Sequence, residues 1–182
     1  FQPLTPLTFL ERAASVYPNH TAIIHGKLKR SYSDFYSRSL RLASALSSQG
    51  IKRGDTVSAI LSNTPAMLEA HYGVPMCGAV LHSINTRLDP DTIAYQLDHS
   101  DAKALIVDRE FLDAVKISLE LSEVSPILID YNDSEYPVLD SLPEAIEYEA
   151  FLLQGDTNYE WLMPEDEWDA ISLNYTSGTT GN

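Results

Sequence analysis

The chain has 182 residues, 44% hydrophobic and 21% charged, with eight glycines and ten prolines, which suits one well-buried core. A formal net charge of −14 argues against nonspecific nucleic-acid binding, because phosphates would be repelled over most of the surface. A single cysteine, Cys77, excludes an internal disulfide framework and a cysteine-based zinc site, and it reads as a small buried apolar residue.

From the start of the chain, FQPLTPLTFL lacks the basic region and apolar run of a secretory signal. No apolar stretch approaches the length needed to cross a membrane. Position 1 is not methionine, so residues before Phe1 are expected, as is an intracellular setting. Thr8 and Glu11 have capping-box spacing ahead of Leu10, Ala13, Ala14 and Tyr17, which predicts a helix. TAIIH (Thr21 to His25) and KRSY (Lys29 to Tyr32) flank Gly26 as a short hairpin. Ser33 can cap a long helix that keeps Phe35, Leu42, Ala43 and Leu46 on one face and ends at Gly50. In GDTVSAILS, Val57, Ala59 and Leu61 alternate as in a strand.

Thr64-Pro65 opens the next helix, since proline suits a first helical turn. GAVLHS (Gly78 to Ser83) reads as a strand, and Asp89-Pro90 opens a helix through about His99. AKALIVD (Ala102 to Asp108) is a short buried strand, followed by a helix over Glu110 to Leu121 and a strand at PILID, Pro126 to Asp130. This alternation with short connections predicts an α/β fold, a mostly parallel sheet flanked by helices. Over 131–168 the rhythm lapses: DYNDSEYP and MPEDEWD are acidic and read as a solvated surface excursion, with a modest helix near Pro143 to Leu153. DAISLNY (Asp169 to Tyr175) restores a strand and leads into TSGTTG.

Several phosphate and metal signatures fail. No two glycines stand two apart, so there is no dinucleotide fingerprint. Gly73 and Gly78 have the glycine spacing of a Walker loop, but Ala79 stands where lysine is required, so the segment reads as helix packing and a turn. His20, His25, His71, His82 and His99 show no metal-ligand spacing.

TSGTTG is chemically suited to polyphosphate. Gly178 and Gly181 allow positive φ and a close backbone approach, while Thr176, Ser177, Thr179 and Thr180 add hydroxyl donors. Positive charge is missing, so a lysine or Mg²⁺ must come from elsewhere. A loop after a strand is also where open α/β sheets bind ligands.

YTSGTTGN resembles the start of the phosphate loop of the adenylate-forming superfamily, which continues with Pro-Lys-Gly. Ser31 to Asp108 resembles the amino-terminal region of that superfamily throughout. GAVLHSINTRLDPDTIAYQLDHS and PLTPLTFLERAASVYPNHTAIIHG resemble its acyl-CoA synthetase and acyl-activating branch. SINTRLD departs from the version that peptide-synthetase adenylation domains carry.

The resemblance implies that 1–182 is an incomplete part of the large amino-terminal domain of an adenylate-forming enzyme. It divides into a regular β/α region (1–130), the excursion (131–168), and a strand with phosphate loop (169–182). It implies ATP, Mg²⁺ and coenzyme A as the molecules used, and a carboxylic acid as substrate: fatty, short-chain, aryl or thioether. The acid forms an acyl-adenylate, which coenzyme A then converts to a thioester. Thr176, Ser177, Gly178, Thr179, Thr180 and Gly181 are assigned by the resemblance to ATP β- and γ-phosphates, and Tyr175 to anchoring the strand end. Catalytic and acyl-pocket residues are expected beyond Asn182, so the segment alone is expected to be inactive. Relatives form dimers, and a homodimer is carried as an expectation. A cytoplasmic setting is expected, or a peroxisomal one for a plant protein. An adenylation domain loading a carrier protein and a non-catalytic nucleotide-binding domain stay open as alternatives.

Overall fold

The structure, a computed structural model, describes residues 3–176. Helix α1 (Leu7–Val16) starts directly after Pro6, one residue before Thr8. Thr8 therefore sits in the first turn, where its hydroxyl donates to the Thr5 carbonyl at 2.9 Å instead of capping. Strands β1 (Thr21–His25) and β2 (Leu28–Ser31) form an antiparallel hairpin whose turn begins at Gly26 with φ +55°, a left-handed conformation that favours glycine.

Helix α2 (Tyr32–Ser48) is capped by Ser31 and not by Ser33. The Ser31 hydroxyl accepts the Asp34 N–H at 3.1 Å, and the Asp34 carboxylate accepts the Ser31 N–H at 3.1 Å. This reciprocal box contributes about 1 kcal/mol. The box begins two residues early because β2 ends at Ser31, leaving Ser33 already inside the first turn. Phe35, Leu42, Ala43 and Leu46 are buried on one face, as the periodicity predicts.

Strands β3 (Thr56–Ile60), β4 (Val80–Ser83), β5 (Ala102–Asp108), β6 (Ile127–Tyr131), β7 (Ile146–Glu147) and β8 (Ser172–Leu173) make one parallel sheet in the order β7-β6-β5-β3-β4-β8. Every residue of β3 is buried, where alternation predicts one buried face. A central parallel strand is covered on both sides, so apolar and small residues occupy both. On one face Val57, Ala59, Ala104 and Ile106 pack with α2, α3 (Pro65–Met76) and α6 (Tyr148–Leu153). On the other, Ile60, Leu105 and Val107 meet α4 (Pro90–His99) and α5 (Leu112–Leu121). Asp89 caps α4 by accepting the Thr92 N–H at 3.0 Å.

α2 and α3 approach closely at Gly73. A Cβ there would lie 2.8 Å from the Leu42 side chain, so the pseudo-Walker glycine serves helix packing. Its partner Gly78 holds φ +81° in the turn before β4. Cys77 is buried, and burial pushes its thiol up to about 11.

The stretch read as a surface excursion contributes to the core as well as to the surface. Leu142, Tyr148, Phe151 and Leu152 are buried, and β7 extends the sheet beyond β6. The acidic run around Glu165 to Trp168 is exposed, as its composition predicts. Tyr148 also completes a buried ionic junction. Glu69 of α3, fully buried, takes two hydrogen bonds from Arg38 of α2 at 2.6 and 3.1 Å and a third from the Tyr148 hydroxyl at 2.9 Å. Arg38 also donates to Glu149 at 2.6 and 2.8 Å. Burial works against the Arg38 charge, but these bonds outweigh it and hold the guanidinium above its ordinary value. Elsewhere His25 Nε2 sits 2.8 Å from Asp133, tying the hairpin to the segment after β6.

Candidate functional site

β8 joins the sheet at the edge, beside β4, through the pairs Leu81–Ser172 and His82–Leu173. Both strands are parallel, so their carboxyl ends lie together. There a cleft of about 230 Å³ opens between two segments. Asn85, Thr92 and Gln96 approach from the β4–α4 side, and Asn174, Tyr175 and Thr176 from the chain leaving β8. No charged side chain lines it: apolar surface, Leu88 included, is mixed with amides and hydroxyls. Amides and hydroxyls of this kind donate to phosphate or carboxylate oxygens without carrying neutralising charge.

Of the six residues assigned to ATP phosphate, Thr176 lies on this cleft, exposed at its rim. Ser177, Gly178, Thr179, Thr180 and Gly181 lie outside the described residues. No three His, Cys, Asp or Glu side chains converge to hold a metal ion among the described residues. No helix among them is long and apolar enough to cross a membrane.

His82 and His99, which show no metal-ligand spacing in the sequence, come together around Tyr175. The Tyr175 hydroxyl lies 2.6 Å from Nδ1 of His99, in the last turn of α4. The two rings meet edge-on at 5.7 Å, and the ring of His82 of β4 packs tilted against Tyr175 at 5.0 Å. Partial burial and the neighbouring Tyr95 raise the Tyr175 pKa, so the phenol stays protonated, and the His99 tautomer sets whether it donates to Nδ1 or accepts from it. A spacing rule for metal ligands could not find this arrangement, because the three rings come from three elements.

His82 is fully buried, with Nδ1 2.9 Å from the Ser58 hydroxyl on β3. Its Nε2 has no hydrogen-bond partner among the described residues. Burial pushes its pKa down to about 4, while Gln96 works the other way. An unfolded imidazole titrates near 6.5. Between these values the unfolded chain binds a proton that the native one refuses. The stabilisation is therefore complete above pH 6.5 and is lost as pH falls towards 4. We predict that the His82 ring resonances stay flat from pH 8 to 5 in an NMR titration, and a midpoint at 6 or above would contradict the burial assigned to it.

The sequence profile of the family described as AMP-binding enzyme matches residues 10–182. The chain is 46% identical over 193 residues to an acetate/butyrate–CoA ligase of Arabidopsis thaliana, AAE7, named as peroxisomal; the match covers 100% of this chain and 34% of that protein. It is 44% identical to a trans-cinnamate:CoA ligase of Petunia hybrida, also named as peroxisomal, over 99% of this chain and 34% of that protein. In fold it superposes on the crystal structure of the anthranilate CoA ligase AuaEII in complex with anthranoyl-AMP with a TM-score of 0.89. That likeness spans 100% of this chain and 34% of the solved one at 23% identity. The chain thus spans about a third of the length of the curated relatives it matches.

Proposed function

This chain belongs to the AMP-binding enzyme family, and on that premise we propose that it is the amino-terminal part of an AMP-forming acyl-CoA ligase for a small carboxylic acid, aliphatic or aryl. The observation that carries the reading is the cleft at the carboxyl ends of β4 and β8, from whose rim the chain runs into TSGTTG. Relatives at 46% and 44% identity, named for acetate or butyrate and for cinnamate, support the small-acid class.

The role of this segment is to receive the phosphates of ATP. A carboxylate attacking the α-phosphorus expels pyrophosphate, and the negative charge on that leaving group must be met by preorganised donors. Hydroxyls of Thr176, Ser177, Thr179 and Thr180, and backbone N–H groups around Gly178 and Gly181, are the donors this chain brings. They bind and orient the β- and γ-phosphates so that the scissile bond faces the incoming acid. Coenzyme A then takes the acyl group from the adenylate and AMP leaves. A cytoplasmic setting is proposed, with the peroxisome as the alternative its plant relatives suggest.

The test is carboxylate-dependent exchange of labelled pyrophosphate into ATP by the whole protein, over a panel of short aliphatic, aryl and thioether acids. Exchange supported by one class of acid is the expected result. Absence of exchange with every acid, from folded full-length protein, would replace the ligase reading with a non-catalytic nucleotide binder.

A further inference from the structure

The strand that carries the loop is held by little. Only Ser172 and Leu173 of β8 are paired, both to β4, and Asn174 to Thr176 continue past the last ladder pair. What fixes the chain there is Tyr175. Its hydroxyl reaches His99 Nδ1 at 2.6 Å, and its ring packs against both His99 and His82, at 5.7 and 5.0 Å. His99 is in turn stacked on Tyr95, one turn back on the same helix, at 5.5 Å and 25°. That stacking restrains the imidazole plane and leaves Nδ1 aimed at the phenol. The phenol donates to Nδ1 in one imidazole tautomer and accepts from Nδ1–H in the other, and either bond ties the same two atoms.

We propose that Tyr175 and His99 form a latch that sets the direction in which the chain leaves β8, making both positioning residues for ATP phosphate. The proposal rests on the reading of Thr176 to Gly181 as the phosphate loop. Thr176 follows the latched residue directly and stands on the cleft opposite Asn85, Thr92 and Gln96. Donors that meet phosphate must be placed before the ligand arrives if they are to stabilise it fully. Neither the phenol nor the imidazole is needed to touch ATP for this. The latch is also distinct from the core. His99 is exposed and Tyr175 half-buried, so removing their bond leaves the apolar interior intact.

The experiment uses the whole protein with the acid that supports exchange. Tyr175→Phe and His99→Ala are each expected to raise KM for ATP about tenfold, the equivalent of one well-made hydrogen bond. KM for the acid and for coenzyme A, and the thermal midpoint, are expected to stay at the parent values. The double variant should be no worse than either single one, because both remove the same bond. His99→Asn, whose side-chain oxygen can stand near the position of Nδ1, should recover most of the ATP affinity. An unchanged KM for ATP in both single variants overturns the latch, as does a rise in all three KM values together with a lowered thermal midpoint. A Thr179→Val/Thr180→Val variant run in parallel separates the two ideas. If it weakens ATP while the latch variants do not, only the latch fails; if it too leaves ATP untouched, the phosphate-loop reading fails.

Discussion

Glu69→Ala is expected to destabilise the amino-terminal region by about 3–5 kcal/mol, the range for removing one partner of a buried ion pair. The loss is large because Glu69 is the acceptor at which three elements meet. Without it the Arg38 guanidinium, two of whose nitrogens face Glu69 at 2.6 and 3.1 Å, keeps only Glu149, and the Tyr148 hydroxyl is stranded in the core. Arg30, whose Nε is buried 3.7 Å from the same carboxylate, also loses the nearer of its two counter-charges and keeps only Glu149 at 4.0 Å. Urea unfolding of the full-length protein, followed by hydrogen exchange in α2 and α3, would measure the effect. Glu69→Gln keeps the shape and an acceptor oxygen, so its cost should be smaller. A loss below about 1 kcal/mol for the alanine variant would mean that the junction behaves like a solvated surface pair.

The Thr179→Val/Thr180→Val variant is expected to lower kcat/KM for ATP by about 100-fold, the scale seen when preorganised donors facing a developing anion are removed. Valine matches threonine in shape and β-branching, so the loop loses hydroxyls and little else. The drop should be confined to ATP-dependent formation of the adenylate. Thioester formation from a chemically supplied acyl-adenylate should proceed near the parent rate. Equal losses in both half-reactions would point to a damaged fold, and no loss in either would remove these hydroxyls from phosphate binding.

Much of the fold was legible because local signals and burial agreed. Asp89-Pro90 opens α4, and the alternation from Thr56 to Tyr131 gives the parallel core. The departures have tertiary causes. The capping box at Ser31 and Asp34 was hidden behind Ser33, since both serines precede the same apolar face and only the end of β2 decides between them. Tyr148 and Phe151 sit within an acidic, proline-containing stretch whose composition signals solvent, yet they bury against α2 and β6 because β7 adds a strand there. At the site, TSGTTG was legible as chemistry from its hydroxyls and glycines alone. The Tyr175, His99 and His82 grouping was not, since contacts between α4, β4 and the end of β8 leave no trace in sequence spacing.

The brevity of β8 raises a question of register. Side chains in a strand alternate between faces, so sliding a strand by one residue against its neighbour turns each of them over. A strand with two ladder pairs, Leu81–Ser172 and His82–Leu173, has little of its own to resist such a slide. Tyr175 supplies the missing key. Displaced by one position, its ring would point away from the two imidazoles that receive it, and Asn174 would stand in its place with a side chain too short to span the gap. The aromatic side chain two residues past the strand thereby fixes which residue comes first in the loop, and one tyrosine does for alignment what a longer strand would do with further ladder pairs.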